Sequence, residues 1–227
     1  MLAFPERPYY YLNMHSNNST SSLNTKKASN RSFIEQARRT QIIEATITVL
    51  ADNGYVNTSF ARIAKAAGIS ASLISYHFTN KEELTAEVYR SVNTARMENV
   101  RTSLAGHAAA GDALRAAIES DLTYMGTRPN LFKAMVEVLF SAKESKNFAE
   151  LMDGTEQSMI SIIEDILEKG QKSGEFGAFD VHALALVIDG ARDQFLAQLP
   201  MQPDYDLEVF MQTLINLVLT YVHAKGK

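Results

Sequence analysis

The residues with the most evident chemical potential lie between Thr58 and Lys81. Ser70, Ser72 and Ser75 supply hydroxyls and Tyr76 a phenol; in helical register Ala71, Ser72, Ser75 and Tyr76 share an outward side, with Leu73 between them. Short hydroxylated side chains let a helix enter the roughly 12 Å wide major groove of duplex DNA and bond base edges or phosphates. Thr58 and Ser59 at a helix start, with Arg62, His77 and Lys81, stand around them as phosphate partners. Arg38 and Arg39 can meet the DNA backbone or reach a minor groove. His77 beside Tyr76 also suggests acid–base work, but on such a helix a phosphate contact or packing at the helix end is the simpler account.

Other chemistry has little to stand on. The chain has no cysteine, which excludes disulfides, thiolate metal sites and cysteine nucleophiles. Its five histidines are scattered without a His-x-x-x-His pair, and no G-x-S-x-G elbow, P-loop or G-x-G-x-x-G occurs. No catalytic residue, metal or cofactor is expected.

A seven- or eight-residue helix is marginal alone in water, so neighbours must hold it. The expected holder is a helix-turn-helix. Ile34, Ala37, Ile42, Ala45, Val49 and Leu50 recur at helical spacing up to a stop at Asn53-Gly54. Thr58 or Ser59 caps a second helix through Ala67, Gly68 supplies a left-handed turn, and Ser70 caps the third helix to about Phe78. Phe60, Ile63, Ala64, Ile69, Ile74 and Phe78 face inward, and small Ala64 and Ala67 permit close approach. Thr79 or Asn80 then caps a long fourth helix, with Glu82 and Glu83 suited to its positive end. Helical patterns follow over residues 109–126, 129–144, 149–173, 180–198 and 205–224, and strand alternation is missing. The expected fold is all-α: a three-helix head over 33–80 and a larger helical bundle over 81–227, about nine helices in all.

The N-terminal residues differ in kind. Residues 13–32 are polar and aperiodic, so 1–32 reads as a disordered extension, whether a solubilising tail or a basic leader for a polyanion. Residues 1–40 carry six Lys/Arg against two acids, +4, so the rest of a chain of net charge −4 carries −8. The first residues do not form a signal peptide, since Pro5, Glu6, Arg7 and Pro8 interrupt them, and Met14 is a second candidate start. No uninterrupted apolar run reaches the roughly 18 residues of a membrane span. A cytoplasmic location without membrane contact is expected.

The stretch N-G-Y-V-N-T-S-F-A-R-I-A-K-A-A-G-I-S-A-S-L-I-S-Y-H-F-T-N-K-E-E-L, residues 53–84, resembles the N-terminal signature of the TetR-type (TetR/AcrR) transcriptional regulators. The likeness covers about residues 34–88; Ser75 stands where many members carry tyrosine, with Tyr76 next to it. This resemblance implies a homodimer on double-stranded DNA, its probe helices in successive major grooves of a palindromic operator. It also implies a C-terminal effector-binding and dimerisation domain, and a repressor released by a small molecule. Two apolar stripes at the end of the chain fit a four-helix interface between copies: Leu184, Ile188, Ala191 and Phe195, then Leu207, Phe210, Leu214, Leu217, Val218 and Tyr221. Packing within one chain is the alternative. Met97, Met125, Met159, Phe132, Phe140 and Phe195, with Tyr124, Gln157, Asp189 and His107 as polar groups, make an apolar effector pocket plausible, although each taken singly is as well explained as ordinary core. The competing functions are a regulator without effector control, and an all-α enzyme or ligand carrier whose helix-turn-helix is vestigial.

Overall fold

The computed structural model describes residues 24–143, 158–199 and 205–224. Among them lie nine α-helices and no strand: α1 (Asn24–Asn53), α2 (Phe60–Ala67), α3 (Ala71–His77), α4 (Lys81–Leu104), α5 (Ala110–Gly126), α6 (Pro129–Lys143), α7 (Met159–Ser173), α8 (Val181–Gln198) and α9 (Leu207–Ala224). The chain divides into two compact units, one up to Val88 and one from Tyr89. Residues 1–23 of the expected extension, the expected helix start at 149 and the pocket candidate Gln157 lie outside the described residues. Residues 24–32, expected to be disordered, belong instead to α1. Once a helix is nucleated by a packed segment, each added residue gains a hydrogen bond for one fixed backbone pair, so polar residues can continue it.

In the first unit the hydrophobic stripe of α1, from Ile42 to Leu50, meets Ile63 and Ala64 of α2, Ile74 of α3 and Phe78, all buried. Local chemistry sets the helix ends. The Ser59 hydroxyl accepts from the Arg62 amide (3.4 Å) and the Ser70 hydroxyl from the Leu73 amide (3.2 Å), satisfying donors that each first turn leaves unpaired. Gly68 ends α2 at φ +66°, and the Ile69 amide then reaches back to the Ala64 carbonyl at 3.0 Å. A Cβ on Gly68 would meet nothing within 4 Å, so the left-handed φ alone requires glycine there. Asn80 caps α4 through the Glu83 amide (2.8 Å), while the Glu83 carboxylate accepts from the Thr79 amide (2.7 Å).

In the second unit α5 is central and packs against α6, α7, α8 and α9. Its Leu114, Ala117, Ile118, Leu122 and Met125 are buried with Ile163 and Leu167 of α7, Ile188 and Leu196 of α8, and Ile215 and Val218 of α9. Gly170 of α7 has no room for a side chain: a Cβ would fall 2.0 Å from the Phe176 ring. Glu175, in the same turn, accepts from the Ala110 and Gly111 amides at 2.7 Å each and so caps α5, whose own preceding residue, Ala109, has no side chain to do it.

The two expected stripes on α8 and α9 divide differently from expectation. Leu184, Ile188, Phe195, Leu214 and Val218 are buried within the unit, with Phe195 stacked on Phe210 at 4.0 Å between ring centroids. Ala191, Leu207 and Phe210 are half-buried, and only Leu217 and Tyr221 of the ten are exposed. A buried side chain has no surface left to offer a second copy. The exposed large apolar residues of these helices are Leu186, Val187, Val209, Leu217 and Tyr221. By length and mean hydropathy (18 residues, 1.2) α9 is apolar enough to cross a bilayer, contrary to what its uninterrupted runs suggest. That apolar content is split between an inward face, Met211, Leu214, Ile215, Val218 and Val222, and the outward one.

Candidate nucleic-acid interface and effector hollow

The surface of the first unit that carries hydroxyls and cations is built by α2, α3 and the turn between them. Ser59, Arg62, Ser70, Ala71, Ser72, Ser75 and Tyr76 are exposed, Tyr76 at 74 %. Leu73 and His77 are half-buried at the flank of α3, the His77 ring edge-on to Tyr76 at 5.0 Å. The Ser75 hydroxyl donates to the Ala71 carbonyl (3.2 Å), and Ser70 and Ser72 share a 2.9 Å bond, all on the exposed side, where a competing acceptor or donor can replace these bonds. Arg62 donates to Asn53 at 2.9 Å and remains exposed. Arg38 is exposed beside Gln41 (2.7 Å). Lys65 is also exposed and was missed in the sequence, although it follows Arg62 by three residues and so shares its helix face.

Three expected phosphate partners are instead committed to the head itself. The Arg39 guanidinium lies 4.4 Å over the Phe78 ring, donates to the His77 carbonyl at 3.0 Å and approaches Glu87 at 3.9 Å, closing the C-terminal end of α3. The Lys81 ammonium lies 4.1 Å over the Tyr55 ring and donates to the Tyr55 carbonyl at 3.2 Å. Thr58 is 3 % exposed, its hydroxyl bonded to the Gly54 carbonyl at 2.8 Å. A cation over an aromatic face and against a carbonyl must give up those contacts to reach a phosphate, which favours bracing over binding.

The second unit holds a hollow of about 10 Å³ with one charged end, formed by Asp121 of α5 and by Asp189 and Arg192 of α8. Around them stand Ile118, Leu122, Met159, Ile163, Ile188 and Leu214. Asp121 is 1 % exposed and takes both Arg96 of α4 (2.5 and 2.8 Å) and Arg192 (3.2 Å). Burial works against the Asp121 charge, but Arg96 and Arg192 outweigh it and hold the carboxyl below its ordinary value. Burial likewise opposes the Arg192 charge, and Asp121, Asp189 and Asp193 more than compensate. Asp189 differs: burial dominates even with Arg192 at 2.5 Å, and its carboxyl is pushed up. Burial also pushes up the Tyr89 phenol, which feels the same arginines and aspartates.

Of the expected pocket residues, Met159 and Asp189 line this hollow. Met97, Met125 and Phe195 are buried but do not line it; Tyr124 lies under the Arg128 guanidinium at 4.4 Å, and Phe132 is half-buried. His107 is exposed and Phe140 is 67 % exposed, so neither belongs to it. Burial depends on which helix face turns inward, and aromatic or thioether character alone does not reveal that. Among the described residues no group of three or more His, Asp or Glu is arranged to hold a metal.

Comparison with known proteins agrees with this geometry at both ends of the chain. Residues 42–88 match the family model for bacterial regulatory proteins of the tetR family, and residues 118–224 match that for the QacR-like protein C-terminal region. The fatty acid metabolism regulator protein of Bacillus subtilis is 26 % identical over 187 residues, 82 % of this chain and 95 % of that protein. The HTH-type transcriptional regulator BetI of Cronobacter sakazakii is 25 % identical over 69 % of this chain and 78 % of its own length. Among solved structures, the fatty acid degradation regulator FadR of Bacillus halodurans superposes with a TM-score of 0.70 at 21 % identity, covering 80 % of this chain and 94 % of its own. FadR of Bacillus subtilis, solved in complex with stearoyl-CoA, gives 0.68 at 25 % identity over 81 % and 98 %. A short, capped probe helix exposed on a three-helix head, followed by a helical body, with both regions matched independently, identifies the chain as a DNA-binding transcriptional regulator of the TetR family.

Proposed function

We propose that this regulator binds a palindromic operator as a homodimer, acts as a repressor in the cytoplasm, and is released by a small effector carrying an acyl chain. The observation that carries the DNA half is the outward side of α3, where Ala71, Ser72, Ser75 and Tyr76 are exposed while Ile74 and the adjoining Phe78 are buried. Two such helices about 34–36 Å apart, one turn of B-DNA, read two half-sites. Support for the effector comes from the Bacillus subtilis relative seen with stearoyl-CoA and from the apolar lining of the hollow in this chain. Effector and operator then weaken each other by a coupling of about 1–3 kcal/mol, by linkage. The reading assigns the protein no turnover step.

Dimerisation is supported by the outward face of α8 and α9, where Val187, Val209 and Leu217 are each more than half exposed. Such a patch on a lone chain marks an interaction surface. Leu217→Glu places a charge at one of these exposed positions, outside the core, and the variant is expected to sediment at half the wild-type mass with its helical circular dichroism intact. Unchanged mass would remove this face from the interface. The function as a whole is tested by selecting genomic fragments with the purified protein and adding a long-chain acyl ligand, stearate or stearoyl-CoA. Enrichment of a palindrome, and its release by the ligand, is the expected result; enrichment without any palindrome would overturn the symmetric reading.

A further inference from the structure

The charged end of the hollow is held unevenly, and the imbalance identifies the group that can give way. Arg192 is 7 % exposed and engages Asp193 through Nε and Nη2 (3.0 and 2.7 Å), and Asp121 and Asp189 through Nη1 (3.2 and 2.5 Å). Asp121 is buried and also accepts twice from Arg96. Neither can withdraw without breaking several charge-assisted bonds. Asp189 meets Arg192 through one oxygen, its side chain is 21 % exposed, and burial raises its carboxyl pKa, so its charge is poorly compensated where it sits. Turning outward costs it one contact and regains water.

Charge balance then selects the ligand. Arg96 and Arg192 are matched inside by Asp121 and Asp189, with Asp193 outside at 55 % exposure. A carboxylate that replaces Asp189 on Arg192 keeps the count unchanged. An ammonium would add a third cation beside two guanidiniums that cannot leave, and buried charge without a partner is strongly unfavourable. A neutral head would leave Nη1 of Arg192 with Asp121 alone, at 3.2 Å, in place of the 2.5 Å contact to Asp189. Beyond the charged end the lining is aliphatic, with Met159 among it, a side chain that adapts to irregular shapes. The present space, about 10 Å³, holds little more than one water, so a ligand tail enters as these side chains part.

We propose that Arg192 anchors an effector bearing a free carboxylate on an apolar chain, seated by exchange with Asp189. This rests on the effector-controlled reading above and narrows it, because a thioester carbonyl carries no charge to replace that of Asp189.

The test compares hexadecanoate, palmitoyl-CoA, hexadecanol and hexadecyltrimethylammonium, each below its micellar concentration, by calorimetric titration of the full chain and by release of bound operator. Hexadecanoate is expected to bind at least tenfold more tightly than the other three. Arg192→Met loses at least tenfold for hexadecanoate and nothing for hexadecanol. Asp189→Asn, at a partly exposed position, tightens hexadecanoate binding several-fold, because the exchange no longer displaces a charge; this variant decides the matter should Arg192→Met fail to fold. Equal or tighter binding of any of the other three ligands, or weaker hexadecanoate binding by Asp189→Asn, overturns the head-group assignment; release of DNA by that ligand would leave effector control standing. If none of the four binds and none releases DNA, both fall.

Discussion

Asp121→Ala is expected to lower the unfolding free energy by about 3–5 kcal/mol, the usual cost of removing one partner from a buried ion pair. The variant leaves Arg96 and Arg192, each 7 % exposed, facing each other across the space of the lost carboxylate. Arg192 keeps Asp189 and Asp193, whereas Arg96 loses its two-pronged contact. Urea titration followed by circular dichroism measures the loss. Replacing the network as a unit, with Arg96→Met, Asp121→Leu and Arg192→Met together, should recover much of it, because the cost lies in stranding charges and not in lacking them. The pH dependence carries a sign. The Asp121 carboxyl is lowered in the folded chain, so its contribution is present above the ordinary aspartate value of 3.8 and is lost as pH falls through the lower folded value. Asp189, raised by burial, acts oppositely: its contribution is present below 3.8 and is lost as pH rises through the folded value. An Asp121→Asn chain should therefore lack the loss of stability in strong acid, and an undiminished loss would show that other carboxylates cause it.

Ser72→Glu is expected to weaken operator binding more than a hundredfold while leaving stability unchanged. Ser72 is exposed in the first turn of α3, two residues beyond the Ser70 cap, where a carboxylate suits the positive helix end. Folding therefore tolerates the change. In the proposed complex DNA does not: the longer side chain would keep α3 out of the groove, and its charge would face phosphates in both copies of the proposed dimer. A single good base contact is worth about 1–3 kcal/mol, and two copies compound the loss. Fluorescence anisotropy with an operator fragment gives the affinity and thermal unfolding gives the stability. Retained binding at wild-type strength would remove the outward side of α3 from the interface.

The all-α fold and the short third helix were legible because short-range chemistry sets them. Ser59, Gly68 and Ser70 act on amides or carbonyls within a few residues. What escaped the sequence depends on distant partners. Arg39 looks like any exposed cation until Phe78 and the His77 carbonyl, 38 residues away, come to meet it. The Arg96–Asp121–Arg192 network joins residues 25 and 71 apart, and no periodic pattern marks it. The stripes on α8 and α9 failed for a different reason. These helices are apolar over so wide an arc that both an inward and an outward stripe can be drawn, and spacing alone does not say which is which. Leu214 and Val218 turned inward, while Val187 and Val209, absent from the expected stripes, turned outward.

The side chains that close the head also set its ionic stoichiometry. Each phosphate neutralised by a protein cation frees condensed counterions, and the logarithmic slope of affinity against salt falls by roughly 0.9 per contact. Arg39 and Lys81 each hold an aromatic face and a carbonyl, and would have to leave those contacts to pair with a phosphate and displace such ions. A census of lysine and arginine in the head therefore overstates the slope by about two contacts per copy, roughly four per dimer, and titration against potassium chloride would reveal the shortfall.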